Sequence, residues 1–112
     1  MNIAAAVAIL AALEDLDHLN GYLGQVAESK ALLYAACDRL GLAHVKSKSN
    51  FVLVRAGERT DALVKGAFAK GIYLRDRSTE PGCAGSLRIA TGIVAHTRRA
   101  IAVMEEVLCA AR

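Results

Sequence analysis

Apolar positions run without interruption from Ile3 to Leu13. These are strong helix formers, and a helix that is apolar all round touches protein on more than one side. Such a helix on so short a chain implies a partner surface. Leu16, Leu19, Leu23 and Val26 then recur at helical spacing, and Leu33, Cys37 and Leu40 resume the stripe after Lys30, up to Gly41. The spacing predicts a long amphipathic helix closed by a left-handed glycine cap. Gly21 and Gly24 predict a break between two helices near Asn20.

Beyond Gly41 the period shortens. Leu42–Lys46 is a short strand candidate, and 47–49 a polar turn. Phe51–Arg55 is apolar on both faces, as in a covered central strand. Thr60 is placed to N-cap a helix whose inward face is Leu63, Val64, Ala67 and Phe68 and whose stop is Gly71. Ile72–Asp76 and Leu87–Thr91 alternate, which puts Ser86, Arg88 and Ala90 on one face and Leu87, Ile89 and Thr91 on the other. The segment Arg77–Gly85 between them is turn-rich. A last helix carries Ala100, Ile101, Met104, Val107 and Leu108 inward, with Arg98, Arg99, Glu105 and Glu106 outward. The predicted order is α-α-β-β-α-β-β-α, an α+β fold with helices packed on a small sheet, and residues 1–112 form a single domain.

Composition narrows the function. Of 112 residues, 54% are hydrophobic and 22% charged, which excludes a disordered or collagen-like chain. A net charge of +3 and aromatics limited to 4% leave neither a basic arm nor a stacking platform, so no nucleic-acid partner is expected. The apolar N-terminal run lacks a basic flank, meets Glu14 and Asp15 where a cleavage site would fall, and is too short for a bilayer, which takes about 20 residues. Three cysteines with no C-x-x-C pair fit a reducing compartment. The expectation is a cytoplasmic protein with no membrane contact.

Arg75 and Arg88 are the residues with chemistry to offer. Each lies on a strand candidate beside small or polar neighbours, and two guanidinium forks side by side clamp a carboxylate or phosphate. Two solvated surface arginines satisfy the same pattern. The loop Pro81-Gly-Cys-Ala-Gly85 offers backbone N–H groups to an anion, but it has no Walker or dinucleotide spacing, and a plain hairpin loop accounts for it equally. His18, His44 and His96 have no metal-ligand spacing. Cys37 and Cys109 fall on apolar helix faces and read as small core residues, Cys83 has no base to activate it, and Lys30 reads as a snorkelling lysine. A clamp without base, nucleophile or metal is half of a site.

The segments Ser49-Asn50-Phe51-Val-Leu-Val54, Lys70-Gly-Ile-Tyr-Leu-Arg-Asp-Arg-Ser78, Pro81-Gly82 and Leu87-Arg-Ile-Ala-Thr-Gly92 resemble the C-terminal small domain of histidinol-phosphate aminotransferase, a fold-type-I enzyme dependent on pyridoxal phosphate. Asn2–Val7 and the stretches Arg98–Ala102 and Val107–Leu108 match as well, so the resemblance spans nearly the whole chain. It implies that Arg88 holds the α-carboxylate of glutamate and 2-oxoglutarate. It implies that Arg75 grips the distal carboxylate or the phosphate of histidinol phosphate, and that Asn50 lines the active-site side. None of the five lysines (Lys30, Lys46, Lys48, Lys65, Lys70) lies in the family's Schiff-base motif. The expectation is therefore a C-terminal fragment whose large cofactor domain is absent. Pyridoxal phosphate then belongs to the complete parent enzyme and not to this chain, which is inactive alone and contributes its clamp to a small-molecule substrate together with that domain. The exposed helix Ile3–Leu13 is expected to draw two copies together. A fragment of a threonine-phosphate decarboxylase-like enzyme and a non-catalytic anion- or partner-binding module are the alternatives.

Overall fold

The computed structural model of the protein describes residues 2–110. Two helices come first, α1 (Ile3–Glu14) and α2 (Leu16–Leu40). Asp15 separates them: its N–H closes α1 on Ala12, and its carboxylate accepts from His18 N at 3.1 Å to cap α2. The break therefore falls at Asp15 and not near Asn20. A glycine inside a helix costs about 1 kcal/mol, and nothing crowds Gly21 or Gly24. An uncapped break at Asn20 would instead orphan four backbone N–H groups.

Four antiparallel strands follow, β1 (Ala43–Val45), β2 (Phe51–Arg55), β3 (Arg75–Asp76) and β4 (Ser86–Ala90), in the spatial order β1-β2-β4-β3. Helices α3 (Thr60–Ala69) and α4 (Val94–Ala110) complete the predicted order, with a 3-10 turn at Gly57–Arg59 ahead of α3. The α+β class holds. Val52, Val54, Leu87 and Ile89 point under the helices into one core with Leu33, Leu63 and Met104. The opposite face carries Phe51 and Leu53, half-buried, and Arg55 and Arg75, exposed. β2 is central, but its apolar residues do not mean cover on both sides: the helices cover one face only.

Local chemistry explains the other departures. The strand expected over Ile72–Asp76 shrinks to two residues. Gly71 takes a left-handed φ of 74°, and the N–H of Ile72 is held by Ala67 O at 2.9 Å to close α3, so it cannot join a ladder. Gly41 closes α2 in the same way, with Leu42 N on Cys37 O, and Arg59 donates to the last carbonyls there, Leu40 O at 3.1 Å and Gly41 O at 2.8 Å. Thr60 does not N-cap α3. It is the first helical residue, and its hydroxyl donates to Gly85 O at 3.0 Å. The inward face of α4 is as expected, and its outer face is tied down by Arg98–Glu28, Arg39–Glu105 and Lys70–Glu106 pairs. Cys37 is buried, and desolvation, reinforced by the neighbouring Asp38, pushes its thiol up to about 11; it stays protonated and inert at neutral pH. Cys109, expected inside, is exposed.

α1 stands apart from this body. None of its residues is buried, and the radius of gyration is 16.1 Å, against about 13 Å for a compact domain of this size. Among the described residues no helix is long and apolar enough to cross a membrane.

Candidate functional site

The pairing register decides where the two arginines go. In β3–β4, Arg75 is the direct partner of Arg88. In β2–β4, Leu53 is the partner of Arg88, so Leu53, Arg88 and Arg75 form one row across the uncovered face. Residues directly opposite one another have Cβ atoms about 5 Å apart, and like charges so placed repel. Among the described residues neither Arg75 nor Arg88 has a carboxylate within 4.0 Å, and neither does Arg55, which sits diagonally from Arg88 on the same face. Arg77, by contrast, is paired with Glu80. Arg55 escaped the sequence reading because it closes an apolar run, and only the β2–β4 register brings it beside Arg88.

Arg88 is half-buried and its guanidinium carbon lies 4.2 Å from the centroid of the Phe51 ring. Arg75 is exposed at the sheet edge. On Asp76, the residue after Arg75, hydrogen bonds from the Ser78 hydroxyl and N–H hold the carboxyl below the usual carboxylate range, and it forms no ion pair with Arg75 or Arg88. The row therefore presents unneutralised positive charge to whatever covers this face.

Asn50 does not join the row. It lines a cavity of about 480 Å³ at the end of the sheet with Tyr22, Thr91, Gly92, His96 and Arg99, a cavity that neither Arg75 nor Arg88 lines. In the glycine loop Cys83 N bonds Glu80 O, and Ser86 N at the start of β4 bonds Cys83 O, which closes the loop as a run of tight turns. Among the described residues no His, Cys, Asp and Glu cluster could hold a metal.

Comparison with known proteins settles the family. The model of the family "Aminotransferase class I and II" matches residues 2–104. The chain belongs to this aminotransferase family. It is 34% identical over 108 residues to histidinol-phosphate aminotransferase of Symbiobacterium thermophilum, and 35% identical over 114 residues to histidinol-phosphate aminotransferase 2 of Ralstonia nicotianae. These matches take in 96% and 99% of the chain but 30% of each aminotransferase. The crystal structure of the Sinorhizobium meliloti histidinol-phosphate aminotransferase, in complex with pyridoxal-5'-phosphate, superimposes with a TM-score of 0.79 and 27% identity over 91% of the chain and 29% of that enzyme. The matched portion thus has the α+β fold of an aminotransferase segment.

No described lysine is placed to hold the cofactor as a Schiff base. A lysine that forms a Schiff base must be desolvated in a pocket. Here Lys65 and Lys70 pair with Asp61 and Glu106 on the surface, Lys46 and Lys48 are exposed, and Lys30 donates to Ser47 O at 3.2 Å. The cavity at the end of the sheet is not lined by a lysine.

Proposed function

We propose that this chain is the substrate-gripping portion of a histidinol-phosphate aminotransferase. Arg88 holds the α-carboxylate of glutamate and 2-oxoglutarate, and Arg75 holds the distal carboxylate or the phosphate of histidinol phosphate. The observation that carries this reading is the direct cross-strand pairing of Arg75 with Arg88 on an uncovered face, with no carboxylate of the described residues within 4.0 Å of either. Two like charges held side by side and left unneutralised are destabilising unless an anion completes them, and a planar fork prefers an anion with two oxygens. Amino transfer itself is supplied by pyridoxal phosphate, held in the complete enzyme by residues outside this chain, so the chain alone binds substrate anions without turnover. Asn50, in the neighbouring cavity, contacts the organic part of the substrate.

The test is a titration of the chain with glutarate at low salt, followed by the Arg Nε–H resonances. Saturable shifts at Arg75 and Arg88 are expected, with a Kd in the millimolar range, since the contacts are charge-assisted but solvent-exposed. Flat Arg75 and Arg88 resonances would sink the reading.

The same chain offers a contact surface, and we assign its occupant as a second copy. Ile3, Val7, Ile9, Leu10, Leu13, Leu16, Leu19, Tyr22 and Leu23 are each 39 to 81% exposed. Covering them contributes about 10 kcal/mol per copy, comparable with the roughly 4–15 kcal/mol that association costs. Ile3–Leu13 carries no charge to repel its twin, and the α1–α2 elbow forms an apolar hollow of about 630 Å³, lined by Ile9, Leu13, Leu19 and Tyr22, that the partner's helix can enter. Light scattering is expected to give twice the 11.8 kDa chain mass, returning to one chain in Leu10→Glu. A wild-type mass of one chain at high concentration overturns the pairing.

A further inference from the structure

The row of arginines raises a question of conformation. Arg88 is a long, flexible side chain with a like charge directly across the strand and, among the described residues, no carboxylate within 4.0 Å to anchor it. Left to itself it would sample many orientations in solvent, and each anion captured would first have to order it.

The sheet register supplies an anchor. Phe51 on β2 stands opposite Ala90 on β4, and Arg88 is the next residue along β4 on the same face. Because Ala90 is small, the space over the Phe51 ring is left open, and Arg88 fills it diagonally, with its guanidinium carbon 4.2 Å from the ring centroid. Diagonal neighbours in a sheet are within reach of aromatic and long side chains, and the negative face of the ring attracts the cation. Phe51 is itself half-buried.

We infer that Phe51 is a positioning residue, holding the guanidinium of Arg88 over β2, on the far side of β4 from Arg75, so that the two forks stay apart and each receives one end of a dianion. The inference rests on the anion-gripping function proposed above. A carboxylate anchor would occupy the N–H donors that the ligand needs and cancel the charge that attracts it. The ring does neither. It steadies the cation while leaving the five donors of the fork available. Phe51 thus orders the side chain before the ligand arrives, which lowers the cost of binding.

The decisive experiment compares wild type, Phe51→Leu, Phe51→Tyr and Arg88→Gln in the glutarate titration, with Arg88 Nε–H and side-chain proton shifts recorded in the absence of ligand. In wild type the Arg88 protons should be displaced upfield by the ring current, and Phe51→Tyr should keep both that displacement and the wild-type Kd. Phe51→Leu, which refills the space with an apolar side chain, should lose the displacement and raise the Kd about fivefold, the weight of one solvent-exposed cation–π contact. A merely structural role would be met by leucine, so equal Kd values for leucine and wild type, with Arg88→Gln still impaired, overturn the positioning role and leave the clamp standing. Absence of glutarate binding in wild type overturns both. Should Phe51→Leu fail to fold, the ligand-free wild-type spectrum decides: Arg88 protons at ordinary shifts refute the inference.

Discussion

Arg88→Gln should lower the chain's affinity for glutarate by about thirtyfold or more while leaving its melting temperature unchanged or slightly higher. Glutamine keeps much of the side-chain length over Phe51 but loses the charge and the fork. A hydrogen bond to a charged group contributes about 1.5–3 kcal/mol, and a bidentate pair loses both bonds at once. The stability prediction has the opposite sign because Arg75 is the direct cross-strand neighbour of Arg88, and removing one of two facing like charges relieves repulsion. An arginine kept for packing would instead lose stability on replacement and bind as before. Arg88→Lys should fall between, since an ammonium supplies the charge without the planar geometry. Arg75→Gln should cost less than Arg88→Gln, because Arg75 lies exposed on a two-residue edge strand where solvent screens it. Calorimetric or NMR titration at two salt concentrations measures these effects. Undiminished affinity in Arg88→Gln removes the arginine from the site.

Most of the fold was legible because its signals are local. Gly41 and Gly71 stop their helices where the apolar stripes end, and the alternation of Leu87 and Ile89 with Arg88 and Ala90 sets the two faces of β4 without knowledge of its neighbours. The errors arose where long-range partners choose among local options. Thr60 has the chemistry of a cap, but the carbonyl of Gly85, 25 residues away, claims its hydroxyl. Phe51 and Leu53 look like residues of a strand covered on both sides, whereas Phe51 packs against a cation. The pairing of Arg75 with Arg88 was suggested by alternation, but their direct opposition depends on register, which β3 makes with two residues only. Arg55 carries no motif of its own, and its place beside Arg88 exists only in the sheet.

Gly85→Ala is the substitution expected to do most harm to the body of the fold. Gly85 has φ 63°, where an L side chain costs about 1–2 kcal/mol. A Cβ there would lie 2.8 Å from the Cα of Gly57, backbone that cannot rotate aside. The carbonyl of Gly85 also accepts three bonds, from Ala56 N and Gly57 N at 2.9 Å each and from the Thr60 hydroxyl at 3.0 Å, and these fasten the end of β2 and the start of α3 to the start of β4. Overpacking adds about 1–3 kcal/mol, so the total is about 3 kcal/mol, which lowers the melting temperature by about 10–20 °C in a domain of this size. Gly82→Ala is the control. Its φ of 74° imposes a similar conformational cost, but nothing lies within 4 Å of the added carbon, so it should lose about 1–2 kcal/mol only. Equal losses in the two variants would show that the contact with Gly57 carries no weight. A further consequence reaches the site. Gly85 is the residue before β4, so moving it shifts the strand that sets Arg88 opposite Arg75, and Gly85→Ala should bind glutarate more weakly than Gly82→Ala at a temperature where both are folded.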